Sequence, residues 1–320
     1  MEVTEEALHR TAIPLLARNA EDLTWLARYV ERVENLARIL DVMQVFGSGA
    51  GDDDQWRMVL RINADEERFL GHHGHVNALT VAGFYLLDRS NPTSIPAAIS
   101  RARELARTLR AQISTEMWQQ LNVFHNRILA LNENDVAPGN LGRLCAVLKE
   151  GCQTHTGITE GTLYRDEGHH FYNIGRQVER ADQATRLLDI GFRLPLESDG
   201  ARQAGRWTLL LRAAAGYHAY RRVHPAAFNA EEVVDFLLLD EAFPRSVALT
   251  LRQVHSHLVL LRDKYGLVSS SPAIASAEQL IEGLGRDVGR RGADLASLQA
   301  SLQGRIAELH EQIAKAFFHA

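Results

Sequence analysis

The chain has 320 residues, 46% of them hydrophobic and 23% charged, enough to bury a substantial core as one large domain or two fused ones. Its 35 Lys and Arg against 40 Asp and Glu leave a net charge of −5 and a pI near 6.3. That balance is too even for a dedicated nucleic-acid or anionic-membrane surface.

The acidic start Met1–Glu6 lacks the basic-then-apolar pattern of a secretory signal. The longest apolar stretches, such as Leu79 to Leu87, fall well short of the roughly 20 residues that cross a bilayer. The sequence therefore predicts a cytoplasmic protein without membrane or nucleic-acid partners. Cys145 and Cys152, seven apart on a predicted helix, lie two turns from each other, too far for a disulfide, and read as reduced structural thiols.

Apolar residues recur at three and four along the whole chain, and no alternating β-branched run is bounded by turns, so the fold class is all-α. In chain order the predicted helices are Ala20–Val45, a pair between Asp54 and Leu70, His75–Leu87, Pro92–Thr115, Glu116–Leu131, Gly142–Glu160, Glu167–Phe192, Arg202–Arg222, Glu231–Leu239, Pro244–Lys264 and Leu295–Phe318. Gly47–Asp54 and Leu267–Pro272 read as connecting loops. Asn19 reads as the first N-cap, with Glu21 and Asp22 in the turn that follows.

The chain also repeats itself. Arg28–Val42 matches Arg176–Ile190 at an offset of 148, with seven of fifteen positions identical, among them Glu31-Arg32 and Glu179-Arg180. Phe84–Ile95 matches Phe236–Val247 at an offset of 152, with six of twelve identical. Two matched motifs in one order imply a duplicated unit of about 150 residues. The units are assigned as 1–160 and 161–320, packed as one multi-helix bundle with pseudo-two-fold symmetry. In the second motif, Pro92 and Pro244 fit a first helical position. Asp88 and Asp240 close one helix or cap the next, and Ser94 and Ser246 fall in the first turn.

On a helical wheel the first repeat helix is apolar around more than half its circumference and must be buried. A polar strip nevertheless runs along it, Arg28, Glu31, Asn35 and Arg38, and returns as Arg176, Glu179, Gln183 and Arg186, with Arg32 and Arg180 at its border. Buried charge has to be paired or wet. One reading is a structural network built on Arg28–Glu31 and Arg176–Glu179 at i,i+3. The other has guanidinium groups from both copies converging on a carboxylate or phosphate, with Glu31 or Glu179 orienting them or acting as base. Spacing alone does not separate the two.

No phosphate loop, nucleophile elbow or Cys-x-x-Cys pair occurs. Glu167-Gly-His-His170 has di-iron spacing but no counterpart in the first unit. His72, His73 and His75 lie in a turn without matched carboxylates, and His255 and His257 point apart on a helix, so no metal site is assigned.

Five ordered segments carry a family resemblance: Ala20–Asn35, Leu87–Ile95, Ile113–Trp118, Arg165–Gly168 running into Gly175–Asp182, and Phe236–Ser246. The chain resembles the bacterial Alpha-E proteins, α-helical domains with a characteristic ER motif. It departs from them at Ala27, where glycine is usual, and at Gln177, where an aromatic is usual. The resemblance points to Glu31, Arg32, Glu179, Arg180, Glu116, Trp118, Asp166 and Glu167.

It further implies a partner, a circularly permuted ATP-grasp protein, and with it a transglutaminase-like peptidase, in the making or modification of peptides by amide ligation. ATP and magnesium would sit on the ATP-grasp partner, and this chain would carry no cofactor. On the leading expectation the chain is a non-catalytic helical subunit that helps bind or position a peptide or amino-acid substrate through Arg28, Arg32, Arg176, Arg180, Glu116, Trp118 and Asp166. The alternative is an enzyme acting itself on an amide or carboxylate, with Glu31, Glu179 or Glu167 in acid/base roles.

Overall fold

The computed structural model describes residues 15–46, 52–193, 200–226, 228–289 and 295–318. Among these residues there is no strand, and the fold is all-α. Among the described residues seven helices make the first half: α1 Ala17–Phe46, α2 Asp52–Ile62, α3 Glu66–Leu70, α4 Ala78–Leu86, α5 Ile95–Thr108, α6 Thr115–Leu129 and α7 Pro138–Thr162. Seven make the second: α8 Glu167–Arg193, α9 Gly200–Ala213, α10 Tyr217–Val223, α11 Ala230–Leu239, α12 Val247–Tyr265, α13 Ser271–Gly289 and α14 Leu295–Phe317, with a 3-10 turn at Val268–Ser270.

The two long repeat helices, α1 and α8, form the central and most extensive packing. Helices α5 and α7 pack on α1 as α12 and α14 pack on α8, and α6 joins α5 to α7 as α13 joins α12 to α14. Leu23, Leu26, Val33, Ala37 and Leu40 of α1 are buried with Ile174, Val178, Ala181 and Leu188 of α8 in one continuous core. The assigned boundary between residues 160 and 161 falls in the last turn of α7, and residues 163–166 link the halves.

Local chemistry sets the ends. Ser94 and Ser246 are N-caps, their hydroxyls accepting from the Ala97 and Leu249 N–H groups. They are not first-turn residues, and Pro92 and Pro244 accordingly sit in the turn ahead of the cap. Asp240 closes α11 as its C-cap, whereas Asp88 lies one residue past Leu87, the C-cap of α4. Their Oδ1 atoms hold the turn, accepting from the N–H groups of Ser90 and Asn91 and of Ala242 and Phe243. Two residues past the end of α2 stands Ala64 (φ 56°), and two past the end of α9 stands Ala215 (φ 57°), both left-handed. In each the next N–H reaches back five residues, Asp65 to the Leu60 carbonyl at 2.8 Å and Gly216 to that of Leu211 at 2.7 Å.

Several boundaries differ from expectation. Helix α1 begins at Ala17, so Asn19 lies inside it. The predicted helix Arg202–Arg222 is two helices, because the left-handed Ala215 interrupts it within a run of alanines that reads as good helix. Helix α13 was not predicted, since its apolar positions Ala273, Ile274, Ala277, Leu280, Leu284 and Val288 are interleaved with glycines. Leu267–Pro272 is a short 3-10 turn leading into α13, and the loop assigned to Gly47–Asp54 lies partly outside the described residues, with Asp52 already in α2. Cys145 and Cys152 are free and buried, and burial pushes the Cys145 thiol up to about 12 and that of Cys152 well above its usual value.

Where α1 and α8 cross most closely, a Cβ on Gly175 would lie 2.1 Å from the Thr24 carbonyl oxygen. Gly175→Ala should force the helices apart and cost about 1–3 kcal/mol. Gly205→Ala, with nothing within 4 Å of the new methyl, should stabilise by up to about 1 kcal/mol. Ala215→Gly should relieve left-handed strain worth about 1 kcal/mol. Urea denaturation of the three variants checks these signs.

Candidate functional site

Helices α1 and α8 run parallel, because contacting positions rise together along both chains. Thr24 Oγ1 donates to the Phe171 carbonyl, and Asn35 Nδ2 donates to Gln183 Oε1 at 2.7 Å, an offset of 148. Between these two contacts the Glu-Arg pairs cross. Arg32 grips Glu179 with two hydrogen bonds, Nε to Oε1 at 2.7 Å and Nη2 to Oε2 at 2.9 Å. Arg180 grips Glu31 the same way, at 2.8 Å and 2.8 Å. Each is the two-pronged guanidinium–carboxylate geometry that makes the strongest ion pairs.

Further groups complete the network. Arg28 Nε reaches Glu179 Oε2 at 2.9 Å, and Gln183 Nε2 donates to Glu179 Oε1 at 3.1 Å. On the other side Arg245, in the turn before α12, bridges Glu31 at 2.9 Å and Glu34 at 2.8 Å, while Arg38 closes on Glu34. The i,i+3 pairs Arg28–Glu31 and Arg176–Glu179 do not form. Arg28 crosses to the opposite helix, and Arg176 turns away to Glu160 at 2.8 Å and to Asn173.

Glu179 is fully buried and Glu31 is 3% exposed. Burial alone would raise both carboxyl pKa values, but the facing guanidinium groups outweigh it. Glu31 is held at about 2 by Arg245 and Arg180, and Glu179 at about 2 by Arg32 and Arg28. Both stay ionised, with every carboxylate oxygen already accepting at least one hydrogen bond.

A family model described as a predicted alpha-helical domain with a conserved ER motif, Alpha-E, matches residues 15–318. The chain belongs to the Alpha-E family. It is also similar to uncharacterized proteins of Mycobacterium bovis and Mycobacterium tuberculosis, 26% identical over 321 residues and covering 93% of this chain. The chain spans about a third (35%) of the length of those relatives. No solved structure matches it.

The remaining motif residues of this Alpha-E chain lie outside the crossed pairs. Asp166 Oδ1 accepts from the Gly168 and His169 N–H groups at the start of α8, and Glu167 Oε2 accepts from the Leu15 N–H at 2.8 Å. Trp118 on α6 lies under the guanidinium groups of Arg103 and Arg110, and Glu116 lines a cleft between α6 and α7. His170 and His257 share a hydrogen bond between their Nδ1 atoms at 2.9 Å, with His169 packed against both rings. Burial lowers the His170 and His257 pKa values to about 4 and about 3. Among the described residues no helix is long and apolar enough to cross a membrane.

The reading of the sequence missed Arg245 and Glu34. The signal was present: the two copies of the Leu-Leu-Asp motif end Pro-Thr-Ser and Pro-Arg-Ser, and Arg245 is the charge that only the second copy carries.

Glu179→Gln keeps the shape but leaves Arg28 and Arg32 without a counter-charge, and should cost about 3–5 kcal/mol in urea denaturation. Both glutamates are more acidic folded than unfolded, and the buried histidines are less basic folded than unfolded. In each case the unfolded chain binds more protons, so stability falls with acid. The histidine contribution should be lost from about pH 6.5 down to 3–4 and that of the glutamates from about 4.5 down to 2. A stability–pH curve in which Glu31→Gln flattens the lower window alone would agree with this.

Proposed function

We propose that this Alpha-E chain is a non-catalytic helical partner of an ATP-grasp amidoligase system, one that helps bind or position a peptide or amino-acid substrate. On this reading the ATP-grasp partner carries ATP and magnesium. The observation that supports it is the engagement of Glu31 and Glu179, whose oxygens accept three and four hydrogen bonds. A general base needs a pKa near the working pH, and both carboxylates are instead gripped by guanidinium groups and held at about 2.

A second feature supports the binding half of the proposal. The two sets of ion pairs together place five arginines, Arg28, Arg32, Arg38, Arg180 and Arg245, against three glutamates, Glu31, Glu34 and Glu179. The surplus is positive, which favours a carboxylate-bearing substrate near the helix pair. We also read the two halves as copies of one unit, a reading that the matched order and packing of the two sets of seven helices supports.

The test is reconstitution. The proposed ATP-grasp partner should co-elute with this chain, and ATP-dependent amide formation should require both proteins. Arg28→Ala should raise the KM for the peptide or amino-acid substrate several-fold with kcat little changed. Turnover of a peptide or amide by the purified chain alone would overturn the proposal, as would full activity of the ATP-grasp protein without it.

A further inference from the structure

The two halves carry equivalent helix pairs, α6–α7 and α13–α14, and the outer surfaces of these pairs differ. In the second half, Arg305 reaches across from α14 to Asp287 at 2.8 Å and to the Gln279 carbonyl at 2.9 Å, covering Gly283. The charge there is spent within the pair. In the first half Phe124 lies over Gly151, and a cleft of about 480 Å³ stays open, with Val123, Val147 and Ile158 among its lining. Val123 is 70% exposed.

Around that apolar floor stand four charges with no partner among the described residues, Glu116, Glu150, Arg127 and Arg143. Asp135, near the basic end, is engaged by the Asn132 N–H. Helices α6 and α7 are antiparallel: Ser114 meets Thr162 at one end, and Gln120 meets Gly151 midway. Glu116 therefore marks one end of the face, with Ile158 beside it. Arg127 and Arg143 mark the other. On α6 itself Glu116, Gln120, Val123 and Arg127 fall within about 60° of arc, one outward stripe reading acid, amide, apolar, base.

We infer that this face is the contact between two copies of the chain. A two-fold axis in the plane of the face and perpendicular to its helices lays α6 antiparallel on the partner copy's α6. Glu116 of each copy then stands opposite Arg127 of the other, and the two Val123 side chains meet near the axis. A two-fold axis parallel to the helices would set like charges together at both ends, so the charge order selects the first arrangement. The α6 stripe is self-complementary, as an isologous contact requires, while Glu150 of α7 lies level with the axis and meets its own symmetry mate. Helix α7 is about 37 Å long and two helices are about 20 Å wide, giving on the order of 700 Å² per copy, close to the roughly 800 Å² of a stable interface.

Light scattering after size exclusion, and sedimentation over a range of micromolar concentrations, read the outcome on the full chain. The wild type should dimerise. Val123→Asp and Glu116→Arg should each weaken the dimer at least about tenfold, and Glu116→Arg combined with Arg127→Glu should restore it. Circular dichroism confirms that each variant is folded, and if Val123→Asp is not, the charge-reversal pair alone decides. A monomer at every concentration overturns the inference, including one whose cleft takes up a different protein. So does a dimer that ignores both the Val123 and the Glu116 substitutions.

Discussion

The fold depends on an exchange of charge between two parallel helices. Sinking Glu31 and Glu179 into a helix interface strips them of water at a cost of several kcal/mol each, and that cost is offset only where the geometry is close to ideal. Here it is, since each carboxylate takes both prongs of the opposite arginine and at least one further donor. A pair of apolar helices would slide past each other with little penalty. With the crossed pairs in place, a shift of one residue leaves two buried carboxylates and their arginines mismatched, so the register of α1 on α8 is fixed. The close approach at Gly175 acts with them, because the backbones touch where the polar rows must face.

The helical class, the central pair of helices and the polar strip on them are legible in the sequence, because periodicity and the 148-residue offset are carried by α1 and α8 themselves. The same offset is the register at which Asn35 meets Gln183. The partners of each charge are not legible there. An i,i+3 spacing places Arg28 beside Glu31 on one helix, yet a parallel neighbour brings Glu179 within reach of the same guanidinium, and the choice between them is tertiary. Arg245 was hidden for a related reason: it belongs to a turn whose role looked purely local. Helix α13 was missed because glycines that suit close packing against α14 also look like breakers.

The halves share an architecture and differ in how they use it. Helices α2 and α9 are each followed, two residues on, by a left-handed alanine with the same backward hydrogen bond. The serine caps of α5 and α12 also correspond. The differences between the halves sit where the fold does not depend on them. Thr93 of the first half bonds to buried Asp65, whereas Arg245 in the corresponding turn enters the central network. On the outside, Arg305 spans one helix pair beside a cleft of about 240 Å³, and the other pair carries a cleft of about 480 Å³. Backbone devices are kept in common, and the side chains that could meet something else are the ones that differ.

That division bears on how the Glu-Arg motif is understood. Arg28, Arg32, Arg180 and Arg245 hold glutamates that cannot be released without unmaking the contact between the halves. A residue with such a role is unsuited to a catalytic cycle, in which a group must change protonation or partner at every turnover. Its charge still acts beyond the contact: the surplus of arginine over glutamate is fixed in place by the same interactions that fix the helices. A field that is built into the core needs no reorganisation to act on an approaching anion, which is the preorganisation that the proposed positioning role would draw on.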